Sequence, residues 1–273
     1  MEQGYLLICL GQRYILESTF LVNTLRKNND MRPVSLLIKE TDLEYANSFN
    51  LFDNIIIYHP DYNDKTYIDC VNEFERNCVY FRINFDKFIP YDETICLDSD
   101  VLCQYSTDNL WDFLSKESFP VRNLGKKKAD SHWHWGQADI ISNMVGKKIP
   151  AIHCGFNYVR KGLVTDDFFD RARDIFLNYD YFGLKRYFRG GRTEEGVFSL
   201  AYSETNADPI EYTGFPIMTF NYTKDEPIPS KIQILLDDNN ARYEMEDYIP
   251  FIHMFEKMEG ENFKIIYDRI MGQ

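Results

Sequence analysis

An apolar run that ends in two carboxylates constrains this chain more than any other stretch. Glu93-Thr94-Ile95-Cys96-Leu97 runs into Asp98-Ser99-Asp100, and Val101-Leu102-Cys103 follows at once. The run reads as a buried strand. On an extended backbone, residues i and i+2 point the same way, so Asp98 and Asp100 can face one space. Two carboxylates held together repel each other, and one would stay protonated. A hard divalent cation removes that conflict. Oxygen ligands suit Mg²⁺ or Mn²⁺, which complete their shells with water and substrate phosphates. The expectation is a metal-bridged diphosphate site at the end of a central strand. Asp and Ser are also ordinary turn residues, so a solvated turn is the bland alternative. A solvated turn rarely sits between two buried segments, which favours the site.

The chain before this point alternates. Tyr5 to Leu10 is a first apolar run, and Gly11 to Tyr14 a turn. Ile15 to Asn28 has helical spacing, with Leu16, Phe20, Leu21 and Leu25 on one face. Pro33 to Ile38 reads as a second strand, Leu43 to Phe52 as a short helix and Asn54 to Tyr58 as a third strand. Such alternation predicts an α/β fold with a largely parallel sheet covered on both faces. Ligands of such sheets bind outside the carboxyl ends of the strands. Gly11 to Tyr14 and Asp98 to Asp100 both lie at such ends.

Val71 to Phe88 reads as mostly helical, with Arg82 among Tyr80, Phe81 and Phe85. A snorkelling surface arginine is the simpler reading there, and a partner for the metal-site carboxylates the functional one. Leu110 to Leu114 suggests a helix, Phe119 to Val121 a strand and Gly125 to Lys128 a charged loop. In His132-Trp133-His134-Trp135-Gly136 the two histidines lack a third ligand nearby. Trp133 and Trp135 either plug a core or offer faces for sugar or base stacking. Ile149 to Val159 is strand-like, and Gly155 within it predicts a bulge or a close backbone approach. Asp166 to Tyr181 is helical in spacing. Arg189-Gly190-Gly191-Arg192 reads as a flexible basic turn leading to Thr193-Glu194-Glu195-Gly196, with Thr193 as an N-cap. Glu194 and Glu195 are either ordinary first-turn acids or carboxylates aimed into a cleft. Tyr248 to Lys257 carries His253 and Lys257, and Phe263 to Met271 reads as a closing helix.

A chain of 273 residues fits one large domain, or one domain with an extension, and is long enough for a sizeable core. Its formal charge of −13 argues against a nucleic-acid partner. It also means that a phosphorylated substrate needs local cations to approach. The six cysteines include no C-x-x-C pair, and Cys9 and Cys96 lie in apolar runs, which points to a reducing compartment. No signal peptide is visible, and no apolar run reaches the roughly 20 residues needed to span a bilayer. A cytoplasmic protein without a transmembrane segment is expected.

Taken together, the strand order, the apolar-Asp98-Ser99-Asp100-Val101-Leu102 core and the late Ile252-His253-x-x-x-Lys257 resemble GT-A fold glycosyltransferases. The likeness is strongest to glycosyltransferase family eight, the glycogenin and bacterial galactosyltransferase group. It covers about residues 4 to 258, in patches. It implies a Rossmann-like, mixed, mostly parallel central sheet flanked by helices. Within one catalytic domain, 1–104 would bind the nucleotide, 105–258 would hold sugar, acceptor and the returning metal ligand, and 259–273 would be a tail. It implies sugar transfer from a nucleotide diphosphate donor, a UDP-sugar, to a hydroxyl on a glycan, protein or small molecule, with Mn²⁺ or Mg²⁺ bound. Tyr14, beside Leu10 and Gly11, would pack on the uracil ring. Asp98 would touch ribose and metal, Asp100 would bind the metal, and His253 would be the third protein ligand. Lys257 would lie against the diphosphate. Tyr80-Phe81-Arg82-Ile83-Asn84-Phe85 looks like the family's arginine helix ahead of the strand.

The chain departs from the family at two motifs. Ile152-His153-Cys154-Gly155-Phe156 stands where the family often has Phe-Asn-Ala-Gly-Val, so His153 replaces the sugar-contacting Asn. Thr193-Glu194-Glu195-Gly196 stands where the family has Asn-Asp-Gln-Asp, which leaves sugar, acceptor and stereochemical outcome open. Three rivals stand beside this reading. One is a haloacid-dehalogenase-like phosphatase with Asp98 as nucleophile, although its motif normally lies nearer the start of the domain. Another is a nucleotidyltransferase, for which Gly11-Gln12-Arg13 is a poor loop. The last is a non-catalytic sugar-nucleotide-binding module.

Overall fold

The computed structural model describes residues 1–116, 121–126, 138–162, 166–186, 190–205, 207, 209–211, 217–220, 250–254 and 261–272. Two compact units interleave along the chain. One holds residues 1–4, 59–96 and 118–212, the other 5–58, 97–117 and 213–273.

The second unit begins with the alternation the apolar runs predict. Strand β1 (Gln3–Ile8) leads into helix α1 (Gln12–Lys27), then β2 (Val34–Ile38), α2 (Leu43–Ser48) and β3 (Asn54–Ile57). The three strands pair in parallel, with Tyr5 opposite Val34 and Ser35 opposite Asn54. Burial of Leu6, Leu7, Leu36 and Leu37 on both faces explains why β1 and β2 read as continuous apolar runs. The core face of α1 is not the expected one. Ile15, Leu21, Val22 and Leu25 are buried, together with Glu17, Ser18, Thr19 and Thr24, whereas Leu16 and Phe20 are only half-buried. Phe20 faces helix α9 (Glu261–Gly272), meeting Phe263 and Tyr267 edge-on at 5.2 and 4.8 Å.

The buried Thr24 of α1 and Asn28 at the helix C-terminus serve a second, small sheet. Its strands are β5 (Val101–Cys103), β9 (Ile217–Phe220) and β10 (Phe251–Met254). Strand β10 lies between the other two, antiparallel to β5 and parallel to β9. Thr24 Oγ1 accepts from the Cys103 N–H at 3.0 Å, and Asn28 Nδ2 donates to the Cys103 carbonyl at 3.0 Å. The helix thus satisfies backbone groups of β5 that would otherwise be buried without partners.

The first unit carries α3 (Lys65–Ile68), α4 (Tyr80–Ile83), β4 (Glu93–Leu97), β6 (Val121–Lys126), α6 (Ala138–Val145), β7 (Ala151–Arg160), α7 (Asp166–Leu177), α8 (Glu194–Glu204) and β8 (Ile210–Glu211). Helix α5 (Asp108–Lys116) belongs to the other unit. The main sheet has seven strands in the order β3-β2-β1-β4-β7-β6-β8, mixed and mostly parallel. Strands β6 and β7 pair antiparallel.

Several sequence expectations are corrected here. Gly125 and Lys126 are not loop residues; they end β6, opposite Ile152 and Ala151. The stretch 71–88 is mostly helical, as expected, and runs as a π-helical turn at Glu75–Val79, then α4, then a 3₁₀ turn at Phe85–Lys87. Asn84 causes the last change: its Nδ2 donates to the Tyr80 carbonyl at 2.8 Å and competes with helical bonding. Arg192, at the end of the basic stretch expected to be a flexible turn, is anchored, since its side chain is buried against Glu75. All six cysteines are free, and among the described residues no helix is long and apolar enough to cross a membrane.

One local knot makes a stability prediction. Asp64 caps α3, accepting from the Thr66 N–H at 2.8 Å and its hydroxyl at 2.6 Å, and pairs with Lys87 at 2.8 Å. Burial would raise its pKa, but the Lys87 and Thr66 bonds outweigh that and hold it at about 2. A depressed native pKa stabilises above the unfolded value of about 4, and the gain is lost as pH falls toward 2. Asp64→Asn is expected to cost about 1 kcal/mol at pH 7, a figure that allows for the half-exposed Lys87. In urea unfolding, the gap to wild type should shrink between pH 5 and pH 2. A gap that stays constant would remove the carboxylate from the account.

Candidate functional site

The Asp pair does not sit on an extended strand as expected. It occupies the turn that joins β4 to β5. The carboxylates converge all the same, because a third group holds them from the far end of the chain. In the β5–β10 ladder His253 lies opposite Val101, the residue after Asp100. This pairing brings the His253 Nε2 to 3.2 Å from Asp100 Oδ1 and 3.7 Å from Asp98 Oδ2. One donor atom from each of the three lies within 4.8 Å of the others. Octahedral Mg²⁺ has bonds of 2.0–2.1 Å, which puts adjacent ligands about 3 Å apart. Two carboxylates and one imidazole at these separations fit part of such a shell. Asp100 and His253 are buried, while the Asp98 side chain keeps 25% exposure. The set is therefore open on the Asp98 side, where water or phosphate oxygens can complete it. It is the one such group among the described residues.

Ser99, between the two acids, turns to α1. Its hydroxyl donates to Glu17 Oε2 at 2.8 Å, and Arg13 Nε donates to the other oxygen, Oε1, at 3.1 Å. Glu17 is fully buried. Sequence reasoning missed it, because one acid in a helix looks like a solvent-facing residue. The available signal was its register: Glu17 shares a helix face with Leu21 and Thr24, both in the core.

In the same unit, Leu10 and Gly11 bridge β1 and α1. Gly11 has φ of 151°, a conformation that L side chains rarely adopt. A methyl group there would meet only the Tyr14 ring at 3.7 Å, so the backbone and not the space demands glycine. Tyr14, in the first turn of α1, is 41% exposed and presents its ring at the surface. Cys9 beside it is not a reactive thiol, since burial pushes its pKa up to about 12.

The other unit gathers a second set. Thr193 caps α8, its Oγ1 accepting from the Glu195 N–H at 3.4 Å. Glu194 and Glu195 are both buried. Arg82 is not the snorkelling surface residue that its position suggested; its guanidinium pairs with Glu194. Glu195 reaches β7. There the register slips from Asn123 opposite Asn157 to Leu124 opposite His153, so Cys154, Gly155 and Phe156 form the bulge that Gly155 predicted. A bulge takes backbone groups out of the ladder, and they need other partners. Glu195 Oε1 accepts from the Cys154 N–H at 3.2 Å, and Asn157 Nδ2 donates to the Cys154 carbonyl at 2.7 Å. His153 Nδ1 accepts from the Gly155 N–H at 3.1 Å. Tyr202 and Asn123, which sequence reasoning did not single out, complete this network at 2.7 Å.

The structure thus brings Asp98, Ser99, Asp100 and His253 together, with Leu10, Gly11 and Tyr14 in the same unit. It gathers Arg82, Glu194, Glu195, His153 and Gly155 in the other. Lys257, Trp133 and Trp135 lie outside the described residues.

No protein-family model and no curated protein matches the chain by sequence. Its shape does match solved structures. It is similar to the galactosyltransferase LgtC with donor and acceptor sugar analogues, at 10% identity and a TM-score of 0.58 over 97% of this chain and 95% of that one. It is similar to mouse xyloside xylosyltransferase 1, at 9% identity and a TM-score of 0.58 over 93% of this chain and 97% of that one. It also matches the glycosyltransferase GlyE of Streptococcus pneumoniae TIGR4, at 10% identity and a TM-score of 0.57 over 99% of this chain but 60% of that one. The fold is the GT-A fold that these glycosyltransferases share.

Proposed function

We propose that this protein is a metal-dependent glycosyltransferase, moving a sugar from a nucleotide diphosphate donor, UDP-linked, to a hydroxyl acceptor. The observation that carries the reading is the Asp98–Asp100–His253 set at the end of β4 in a GT-A fold. These three residues would hold Mn²⁺ or Mg²⁺. When bound, the cation supplies positive charge to stabilise the diphosphate as it leaves. Asp98, the most exposed of the three, would also meet the ribose. Tyr14 would offer its ring to the base, with the Leu10–Gly11 backbone alongside. Lys257, four residues after His253, would neutralise the departing diphosphate. Residues 1–104 would serve the nucleotide, and 105–258 the sugar and acceptor, within one catalytic domain. His153 and Gly155 would meet the sugar, and Trp133 and Trp135 would stack on sugar or acceptor. Six free cysteines accord with a reducing, cytoplasmic setting.

Screening UDP-glucose, UDP-galactose, UDP-N-acetylglucosamine and GDP-mannose for Mn²⁺-dependent release of the nucleoside diphosphate tests the reading. Phosphate release from phosphomonoesters, lost in Asp98→Asn, would instead favour a phosphatase. Tight sugar-nucleotide binding without turnover would favour a binding module.

Glu194 and Glu195 carry a separate expectation. A carboxylate near the reacting carbon can act as base, as nucleophile or as a stabiliser of positive charge. Glu194 already balances Arg82, and Glu195 already holds the β7 bulge. Each Gln variant is expected to lower kcat by about 100-fold with a smaller change in donor Kd. Unchanged transfer in both would return them to ordinary residues of a helix start.

A further inference from the structure

We infer that the buried Glu17 carboxylate, acting through the Ser99 hydroxyl, is a positioning group for the cation ligands Asp98 and Asp100. The inference rests on the metal-centre reading above and extends it to α1.

A turn of three residues has little rigidity of its own. Its two acids repel each other whenever no cation lies between them, so something must hold them convergent. His253 touches both, but from one side only. The bond from Ser99 to Glu17 at 2.8 Å ties the middle of the turn to a second element. It has the features of a positioning contact. The acceptor is a carboxylate, which makes the hydrogen bond charge-assisted. Glu17 is fully buried, so water competes little for its oxygens. Arg13 occupies Oε1 and leaves Oε2 for the serine. The helix that carries Glu17 is itself fixed to β5 through Thr24 and Asn28. Asp98 and Asp100 are thus flanked by two strands and held at the centre by a helix.

The test uses the full chain and free Mn²⁺, with binding followed by electron paramagnetic resonance and no nucleotide present. Asp100→Asn is the control that should lose binding. Ser99→Ala, on a half-buried side chain, is expected to raise the Kd for Mn²⁺ by about 10- to 100-fold. Glu17→Ala should do the same. The double variant should be no weaker than either single one, because both remove one contact. Glu17→Gln keeps a neutral amide oxygen for Ser99 and should recover part of the affinity that Glu17→Ala loses. If Ser99→Ala binds Mn²⁺ as wild type does while Asp100→Asn does not, Glu17 is a structural residue only and the inference is overturned. A lowered Tm with unchanged Kd has the same meaning. Should Glu17→Ala fail to fold, Ser99→Ala decides the matter alone. If wild-type protein itself binds no Mn²⁺, the metal-centre reading falls, and this inference with it.

Discussion

Asp100→Asn is expected to end Mn²⁺-dependent turnover while leaving the fold intact. The change is isosteric, so packing at this buried turn is preserved. What changes is charge and donor chemistry. The amide removes one of the two formal negative charges that the turn offers a cation. It also presents an NH₂ group, which repels a metal, in place of a second oxygen. Groups that merely support a metal ligand already cost about 10- to 100-fold when lost, so a ligand itself should cost more. A fall in rate beyond about 100-fold is expected, with thermal stability within about 1 kcal/mol of wild type. His253→Ala should differ in kind. It keeps both carboxylates, so it should raise the Mn²⁺ concentration needed for half-maximal rate. Normal activity of Asp100→Asn at saturating Mn²⁺ would sink the metal-centre reading.

The largest effect on stability is expected at Arg192. Its guanidinium donates to Glu75 Oε1 at 3.2 Å and Oε2 at 2.8 Å and to the Phe176 carbonyl at 3.1 Å, and it also pairs with Asp69. It lies 3.7 Å over the Phe176 ring. Burial alone would lower its pKa, yet the Glu75 and Asp69 bonds raise it, so it stays charged. Glu75 has no exposure at all. Arg192→Met leaves that carboxylate buried and without its counter-charge, a loss of about 3–5 kcal/mol. At roughly 2–4 °C per kcal/mol for a chain of this size class, Tm should fall by about 10 °C. Arg192→Met combined with Glu75→Gln removes the stranded charge and should regain much of the loss. A single variant within about 1 kcal/mol of wild type would show that the pair is replaceable by water. The effect bears on the proposed chemistry as well. Arg192 immediately precedes Thr193, Glu194 and Glu195, so the buried pair fixes where α8 begins.

These two residues also mark where sequence reading works and where it stops. β1, β2 and β3 were legible because each is an apolar run bounded by turn residues; β1 and β2 are buried on both faces, while β3, at the sheet edge, is only half-buried. The bulge in β7 was legible from Gly155, because a glycine inside a strand has few other uses. Charged residues with distant partners were not legible. Arg192 next to two glycines looks like a solvated turn until Glu75 is known to lie beneath it. Glu17 looks like a helix surface residue until Ser99 is known to reach it. Arg82 was read as snorkelling because Glu194 is more than a hundred residues away. Periodicity records which face is apolar. It holds no record of which buried charge meets which. The change from α4 to a 3₁₀ turn within 71–88 follows Asn84, whose side chain turns back on the Tyr80 carbonyl.

The pairing of β10 with β5 has a consequence for the order in which the protein assembles. His253 and Val101 face each other across about 150 residues of chain. Contacts of such separation form late, because the entropy of closing the loop must be met before they contribute. The parallel β1-β2-β3 ladder and α1 join segments much closer in sequence and can form without β10. During synthesis, a chain that has emerged through α8 already carries Asp98, Asp100, Glu194 and Glu195, but not His253. The imidazole arrives with the last strand of the small sheet. The proposed metal centre is therefore completed at the end of folding, and an unfinished chain holds the two acids of the turn without the His253 imidazole beside them.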